Sequence, residues 1–160
     1  MTTPSVSMVG DKQIRATLNQ LSNKVAQRIM VKAVRKGLLP VKQEAKRLAN
    51  TLFKSNSLSK LITIKAGKTK RGDAYGKVYV SPTKGQRNIK LDGREVPLAV
   101  AANIQEFGRK DGSLKPHAFM RPALDSKRGE AMARLTLSAK LELNKEVKKA
   151  IKKGKIGSLF

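Results

Sequence analysis

The sequence predicts an α+β fold, in which a small antiparallel sheet packs against a long N-terminal helix and a C-terminal helix. Three observations predict it. Apolar residues recur at alternating spacings of four and three in the first third of the chain, and at spacings of seven and four near its end, each marking one helical face. Short β-branched runs bounded by Gly, Pro or Ser occupy the middle. The resulting order is helix, strands, helix, helix, unlike the strand–helix alternation of a parallel sheet.

The elements follow in order. Residues 1–10 hold Thr, Ser, Pro and Gly and read as a loose N-terminal arm. Asp11 is placed to cap a helix whose face runs through Ile14, Leu18, Leu21 and Val25, and Ser22-Asn23 is a point to break or re-cap it. A second register follows in Val34, Leu38, Val41, Ala45, Leu48 and Leu52, with Lys36, Lys42, Glu44, Lys46 and Arg47 opposite. Gly37 and Pro40 interrupt that register, which predicts a kink. Residues 54–59 read as a polar loop. Leu61-Ile62-Thr63-Ile64 and Val78-Tyr79-Val80 read as strands, and Asp92-Gly93 as a tight turn between Ile89-Lys90-Leu91 and Arg94-Glu95-Val96. Residues 66–94, basic and Gly-rich, are expected as a mobile loop or hairpin standing off the core.

Pro97 is suited to the first position of a helix, with Val100, Ile104 and Phe107 on one face and Gly108 as its C-cap. Pro122 is expected to open a long last helix whose face runs through Leu124, Ala131, Leu135, Ala139, Leu143, Val147 and Ile151. Lysines crowd its end, complementing the helix dipole. The domain reading is an arm at 1–10, a single domain at 11–145 and a basic C-terminal extension at 146–160.

Charge is the strongest compositional signal. Thirty-five Lys and Arg against eleven Asp and Glu give a net charge of +24 over 160 residues. Self-repulsion at that level is relieved beside something anionic, and dense phosphate releases condensed counterions when it is neutralised. Aromatics make up 4% of the chain and Trp is absent, so the core has to come from Leu, Ile, Val and Ala. Residues 1–10 lack the apolar centre of a signal peptide, and no apolar run approaches the roughly 20 residues of a membrane span. Synthesis in the cytoplasm is the expectation.

The residues give little support to catalysis. There is no Cys, and His117, between Pro116 and Ala118, is the one histidine. A lone loop histidine is more often a surface or packing residue than a base, and no ligand cluster for a metal stands out. The acidic residues mostly alternate with Lys or Arg, as in surface ion pairs. Gly67-Lys68-Thr69 imitates the end of a phosphate-binding loop, but the glycine required five positions earlier is Ile62. No enzyme and no cofactor are therefore expected. Lys68, Lys70, Arg71, Lys84, Arg87, Lys90 and Arg94 are the candidate residues for nucleic acid or another anionic partner, spaced to follow a phosphate backbone without reading bases. Tyr75 and Tyr79 are suited either to packing or to stacking on bases.

Two segments carry a family likeness. Ala101-Ala102-Asn103-Ile104-Gln105-Glu106-Phe107-Gly108, then a basic loop, is followed by Pro116-His117-Ala118-Phe119-Met120-Arg121-Pro122-Ala123-Leu124-Asp125. In this order and spacing they resemble the paired motifs of the phage tail-completion family typified by gene product 10 of phage HK97. The helix through Leu18, Leu21, Val25, Ala33, Val41, Ala45, Lys46 and Leu48 is similar to that family's N-terminal helix. The chain departs from the pattern after this helix, where no Pro or Gly marks the turn, and in a longer stretch at 82–96.

The resemblance implies a tail-terminator-like fold and a structural virion protein at the head–tail junction, a neck component made in the host cytoplasm. It implies a homo-oligomeric ring, a hexamer, contacting other phage neck and tail proteins, with DNA as a non-specific partner and no membrane. Glu106, Phe107, Gly108, Phe119, Arg121 and Pro122 are the motif residues expected to be structural. Phe119 is expected as an anchor beneath the last helix, and Arg121 as a bridge to Glu106 or to a neighbouring subunit. The alternative from another class is a stand-alone, non-specific nucleic-acid-binding protein.

Overall fold

A computed structural model describes residues 23–53, 56–81, 88–91 and 94–152. The elements are α1 (Asn23–Gly37), α2 (Leu39–Phe53), α3 (Asn56–Leu61), β1 (Ile62–Lys68), β2 (Ala74–Val80), β3 (Asn88–Leu91), β4 (Arg94–Pro97), α4 (Leu98–Phe107) and α5 (Met120–Lys152). The fold is mixed α+β, as expected, and mostly helical. Its strands form two separate two-stranded ribbons, β1–β2 and β3–β4. The arm at 1–10, the Asp11 cap and the face through Ile14, Leu18 and Leu21 lie outside the described residues.

The interruption at Gly37 and Pro40 is a break rather than a kink. Helix α1 ends at buried Gly37, Leu38 forms a turn, and α2 begins at Leu39. Pro40 sits in the first turn of α2, where its missing N–H leaves no helical bond unmade. The Lys42 N–H donates to the Leu38 carbonyl at 3.0 Å. The expected loop at 54–59 is corrected, because Asn56–Leu61 is the short helix α3. Leu58 and Leu61, three residues apart, are both buried on its inner face.

The described residues form two compact units. One comprises Leu38–Lys65 and Lys77–Ala131. Its core gathers Ala45, Ala49, Leu58, Leu61, Ile62, Leu98, Ala102, Phe119 and Ala123, with Leu48, Val78, Val80 and Met120 against it. Phe119 is wholly buried at its centre. In this unit the β3–β4 hairpin pairs Leu91 with Arg94 and Asn88 with Pro97, the register expected around Asp92-Gly93, which itself lies outside the described residues.

The other unit holds the described residues of Met1–Gly37, Ala66–Gly76 and the stretch from Met132. Its buried residues include Ile29 and Ala33 on α1 and Ala139 and Leu143 on α5. The Glu142 carboxylate accepts from Lys32 Nζ (3.3 Å) and Lys36 Nζ (3.0 Å), one helical turn apart on α1. Glu146, one turn further along α5, is paired with Lys149 at 2.9 Å and feels Lys32 and Arg28 of α1 more weakly, so α1 and this part of α5 run antiparallel. The two lysines hold the Glu142 carboxyl down at about 2, overcoming the opposing effect of burial.

Two expected faces are corrected. On α4, Val100 and Phe107 are exposed, while Leu98, Ala101, Ala102 and Glu106 face inward. The small alanines allow close approach of α4 to its neighbours, and the bulky residues are left outside. On α5, Leu124 is 48% exposed and Ala123 takes the core position; Ala131, Ala139 and Leu143 keep their expected places. Pro97 immediately precedes α4, and Pro122 is the third residue of α5 rather than its first. Helix α5 runs to Lys152 and passes position 145 without a break.

Candidate functional site: the Glu106 clamp and a basic groove

Helix α5 begins without a local cap. Residues 116–119 are Pro, His, Ala and Phe, none with a side-chain oxygen that reaches its first N–H groups. Glu106, at the end of α4, supplies the acceptor from a distance. Its Oε2 accepts the N–H groups of Phe119 (2.8 Å) and Met120 (2.9 Å), and its Oε1 accepts the N–H of Arg121 (3.2 Å). Arg121 adds Nε to the same Oε1 at 3.2 Å, and its terminal nitrogen donates to the Glu106 carbonyl at 2.9 Å. Burial raises the Glu106 pKa. The N–H groups of Met120, Phe119 and Arg121, and then the guanidinium, outweigh that and hold it below its ordinary value.

The residues around the clamp explain the rest of the paired motifs. Gly108 donates its N–H to the Ile104 carbonyl at 2.7 Å and has φ 77 and ψ 177, a region essentially confined to glycine. A Cβ there would also lie 2.9 Å from the Leu114 carbonyl oxygen and 3.2 Å from Pro116 Cδ. The 108–119 segment is tied down further by Arg109 N–H to Leu114 O (3.1 Å) and His117 N–H to Gln105 O (2.6 Å). Asp111 accepts from the backbone and hydroxyl of Ser113, which lower its pKa. His117 is exposed, its Nδ1 3.1 Å from the Lys115 carbonyl. Phe107 is 66% exposed, and the Arg121 guanidinium lies over its ring, 5.2 Å from the centroid.

The expected anion-binding residues separate. Lys68 ends β1, and Lys70 and Arg71 stand exposed on the turn between β1 and β2. Lys90 and Arg94 are on the β3–β4 hairpin, away in sequence and in the other compact unit. Lys84 and Arg87 lie outside the described residues. The β1–β2 turn is closed by the Thr69 N–H donating to the Asp73 carbonyl at 2.8 Å, the Gly72 N–H donating to the Thr69 carbonyl at 3.0 Å, and the Thr69 hydroxyl accepting the Asp73 N–H at 3.1 Å. Gly72, at φ 95, lies against α1, where a Cβ would come within 2.6 Å of Gln27 Nε2. Residues 66–76 are thus an ordered hairpin end seated on α1 rather than a loop standing free.

Between them runs an open groove of about 430 Å³, lined by Lys24, Gln27, Arg28, Val31, Lys32, Gly67 and Lys68. Lys24, Arg28 and Lys32 were not singled out from the sequence. Their signal was present as a basic residue at every fourth position of α1, continuing to Lys36. Tyr75, 37% exposed, rests against Gly67, where a Cβ would meet its ring at 3.2 Å. Tyr79 lies beneath Lys77 Nζ at 5.2 Å.

Among the described residues, no group of three or more His, Asp or Glu is placed to hold a metal ion, and no helix is long and apolar enough to cross a membrane. No protein-family model, no curated protein and no solved structure matches the chain.

Proposed function

We propose that the chain is a structural virion protein of a tailed bacteriophage, a tail-completion or neck component that assembles as a ring at the head–tail junction. The observation that carries this reading is the Glu106–Arg121 clamp. It makes one unit of the two segments that resemble the tail-completion family, giving each of Glu106, Gly108, Phe119 and Arg121 a structural task. The same unit leaves Val100 and Phe107 exposed on one face of α4, apolar surface available to a neighbouring subunit. In this reading the mechanism is assembly, with the hexamer held by such faces and the positive charge turned toward DNA or acidic neighbours.

Native mass spectrometry of the purified full chain over a range of concentrations tests the ring. A hexamer that Phe107→Ala dissolves while leaving the fold intact is the expected result. A chain that stays monomeric in the presence of its neck and tail partners contradicts it. The stand-alone nucleic-acid-binding reading is favoured by the basic groove, and it predicts a monomer or dimer that binds duplex at moderate salt.

A further inference from the structure

We infer that the groove between α1 and the end of β1 is a docking site for the phosphodiester backbone of duplex nucleic acid, with Lys24, Arg28 and Lys68 as its principal contacts. The inference deepens the proposed function by naming the surface that meets DNA.

Spacing carries the argument first. Lys24, Arg28 and Lys32 stand four residues apart and form a ridge along one side of α1. At 1.5 Å per residue the ridge from Lys24 to Lys32 is about 12 Å long. That covers roughly three to four phosphates of one strand, which advance 3.4 Å each along the duplex axis. Lys68 joins from the β1 side of the groove, and Lys70 and Arg71 extend the positive surface over the turn.

The distribution of carboxylates gives the second argument. Helix α1 has no acidic residue, so each cation on the ridge repels the next. Among the described residues, ion pairs relieve this only toward one end, where Glu142 takes Lys32 and Lys36. Lys24 and Lys68 have no carboxylate within ion-pair distance among the described residues. Three of the four cations that line the groove, Lys24, Arg28 and Lys68, are thus without an ion-pair partner among the described residues, and only Lys32 has one. An external polyanion supplies what the fold does not.

The form of the site selects the ligand. The groove is open, and its cationic side chains at Lys24, Arg28, Lys32 and Lys68 are all exposed. Such a surface holds an isolated phosphate weakly, but it suits an extended polymer whose affinity comes from many counterions released together. Nothing in it offers the buried donor array that reads base edges, so binding is independent of sequence. Gly67 and Lys68, at the end of β1, form the other wall, and the adjoining turn is closed by the Thr69–Asp73 hydrogen bonds and passes close to Gln27 at Gly72.

The test uses the full chain and a fluorescent 20-base-pair duplex, with anisotropy followed over a series of KCl concentrations. The expected result is binding whose log–log salt slope falls by about 3 in Lys24→Gln/Arg28→Gln/Lys68→Gln, at roughly one per phosphate contact removed. An equal loss of charge elsewhere, Lys110→Gln/Lys115→Gln/Arg128→Gln, is expected to change the slope by less than one. Lys32 is left in place because it holds Glu142. A second measurement needs no variant: acetylation footprinting of the wild-type chain, in which the duplex protects Lys24 and Lys68 but not Lys110 and Lys115. Equal slopes for the two triple variants, or equal protection of all four lysines, overturns the site. So does protection of Lys24 and Lys68 by polyglutamate where the duplex gives none, which assigns the groove to an acidic protein. Footprinting reads the groove without a ring and native mass reads the ring without DNA, so failure of one inference is distinct from failure of the other.

Discussion

Removing the carboxylate of Glu106 perturbs the molecule at one identifiable place. In Glu106→Ala the N–H groups of Phe119, Met120 and Arg121 lose their acceptor together, and the Arg121 guanidinium loses its charged partner. The Phe119 N–H lies in a buried setting, so water replaces the lost acceptor poorly. Loss of a helix cap costs about 1 kcal/mol, and an unsatisfied buried donor that had bonded to a charged group costs about 2 kcal/mol more, for a total near 3 kcal/mol. Glu106→Gln keeps the shape but turns an N–H₂ group toward backbone donors or the guanidinium, so about 2 kcal/mol is expected. Urea unfolding followed by helical circular dichroism measures both, and the slope with denaturant should stay constant. Acid adds a signature. Because the folded Glu106 pKa lies below its ordinary 4.5, its contribution is complete above that value and is lost as pH falls through the lower folded value. The gap between wild type and Glu106→Gln should therefore hold from neutral pH to about 5 and close on further acidification. A loss under about 0.5 kcal/mol in Glu106→Ala, the level of an ordinary surface change, refutes the reasoning.

Three further predictions follow from single residues. Gly129 is helical with open space where a Cβ would go, so Gly129→Ala should stabilise by about 0.5–1 kcal/mol; a drop in the denaturation midpoint contradicts this. Gly108→Ala combines the glycine-only backbone with a Cβ at 2.9 Å from Leu114 O and should cost about 1–3 kcal/mol, read as a fall in melting temperature. Glu142, held at about 2, should keep α1 joined to α5 well below the usual carboxylate range. Its contribution is present above 4.5 and lost as pH falls through about 2. Amide exchange in α1 should thus stay slow at pH 3.5, and Glu142→Gln should speed it there; equal exchange in the two proteins would sink the reading.

The helices were legible where periodicity and burial coincide. Val41, Ala45 and Leu48 on α2, and Ala131, Ala139 and Leu143 on α5, lie on the faces their spacing indicates. The β3–β4 register was legible from the Asp92-Gly93 dipeptide between matched runs. Three features were hidden for separate reasons. Helix α3 is too short to show a period, and its Asn and Ser residues resemble a loop. Helix α4 turns its alanines inward, so a reading that sends the largest apolar residues to the core inverts its face. The cap of α5 comes from a residue thirteen positions earlier, beyond the reach of any local capping pattern. Its indirect trace was the absence of a capping residue before Met120. The basic ridge of α1 went unread although its four-residue spacing was its trace, and its meeting with Lys68 depends on how the hairpin end seats against the helix.

A neck component, as proposed for this chain, belongs to a particle. Gold-labelled antibody against the full chain, applied to purified tailed particles bearing its gene, tests that most directly. Label confined to the junction of head and tail, in a constant copy number consistent with one ring, is the expected result. Intact, infectious particles that carry none of the protein would contradict it.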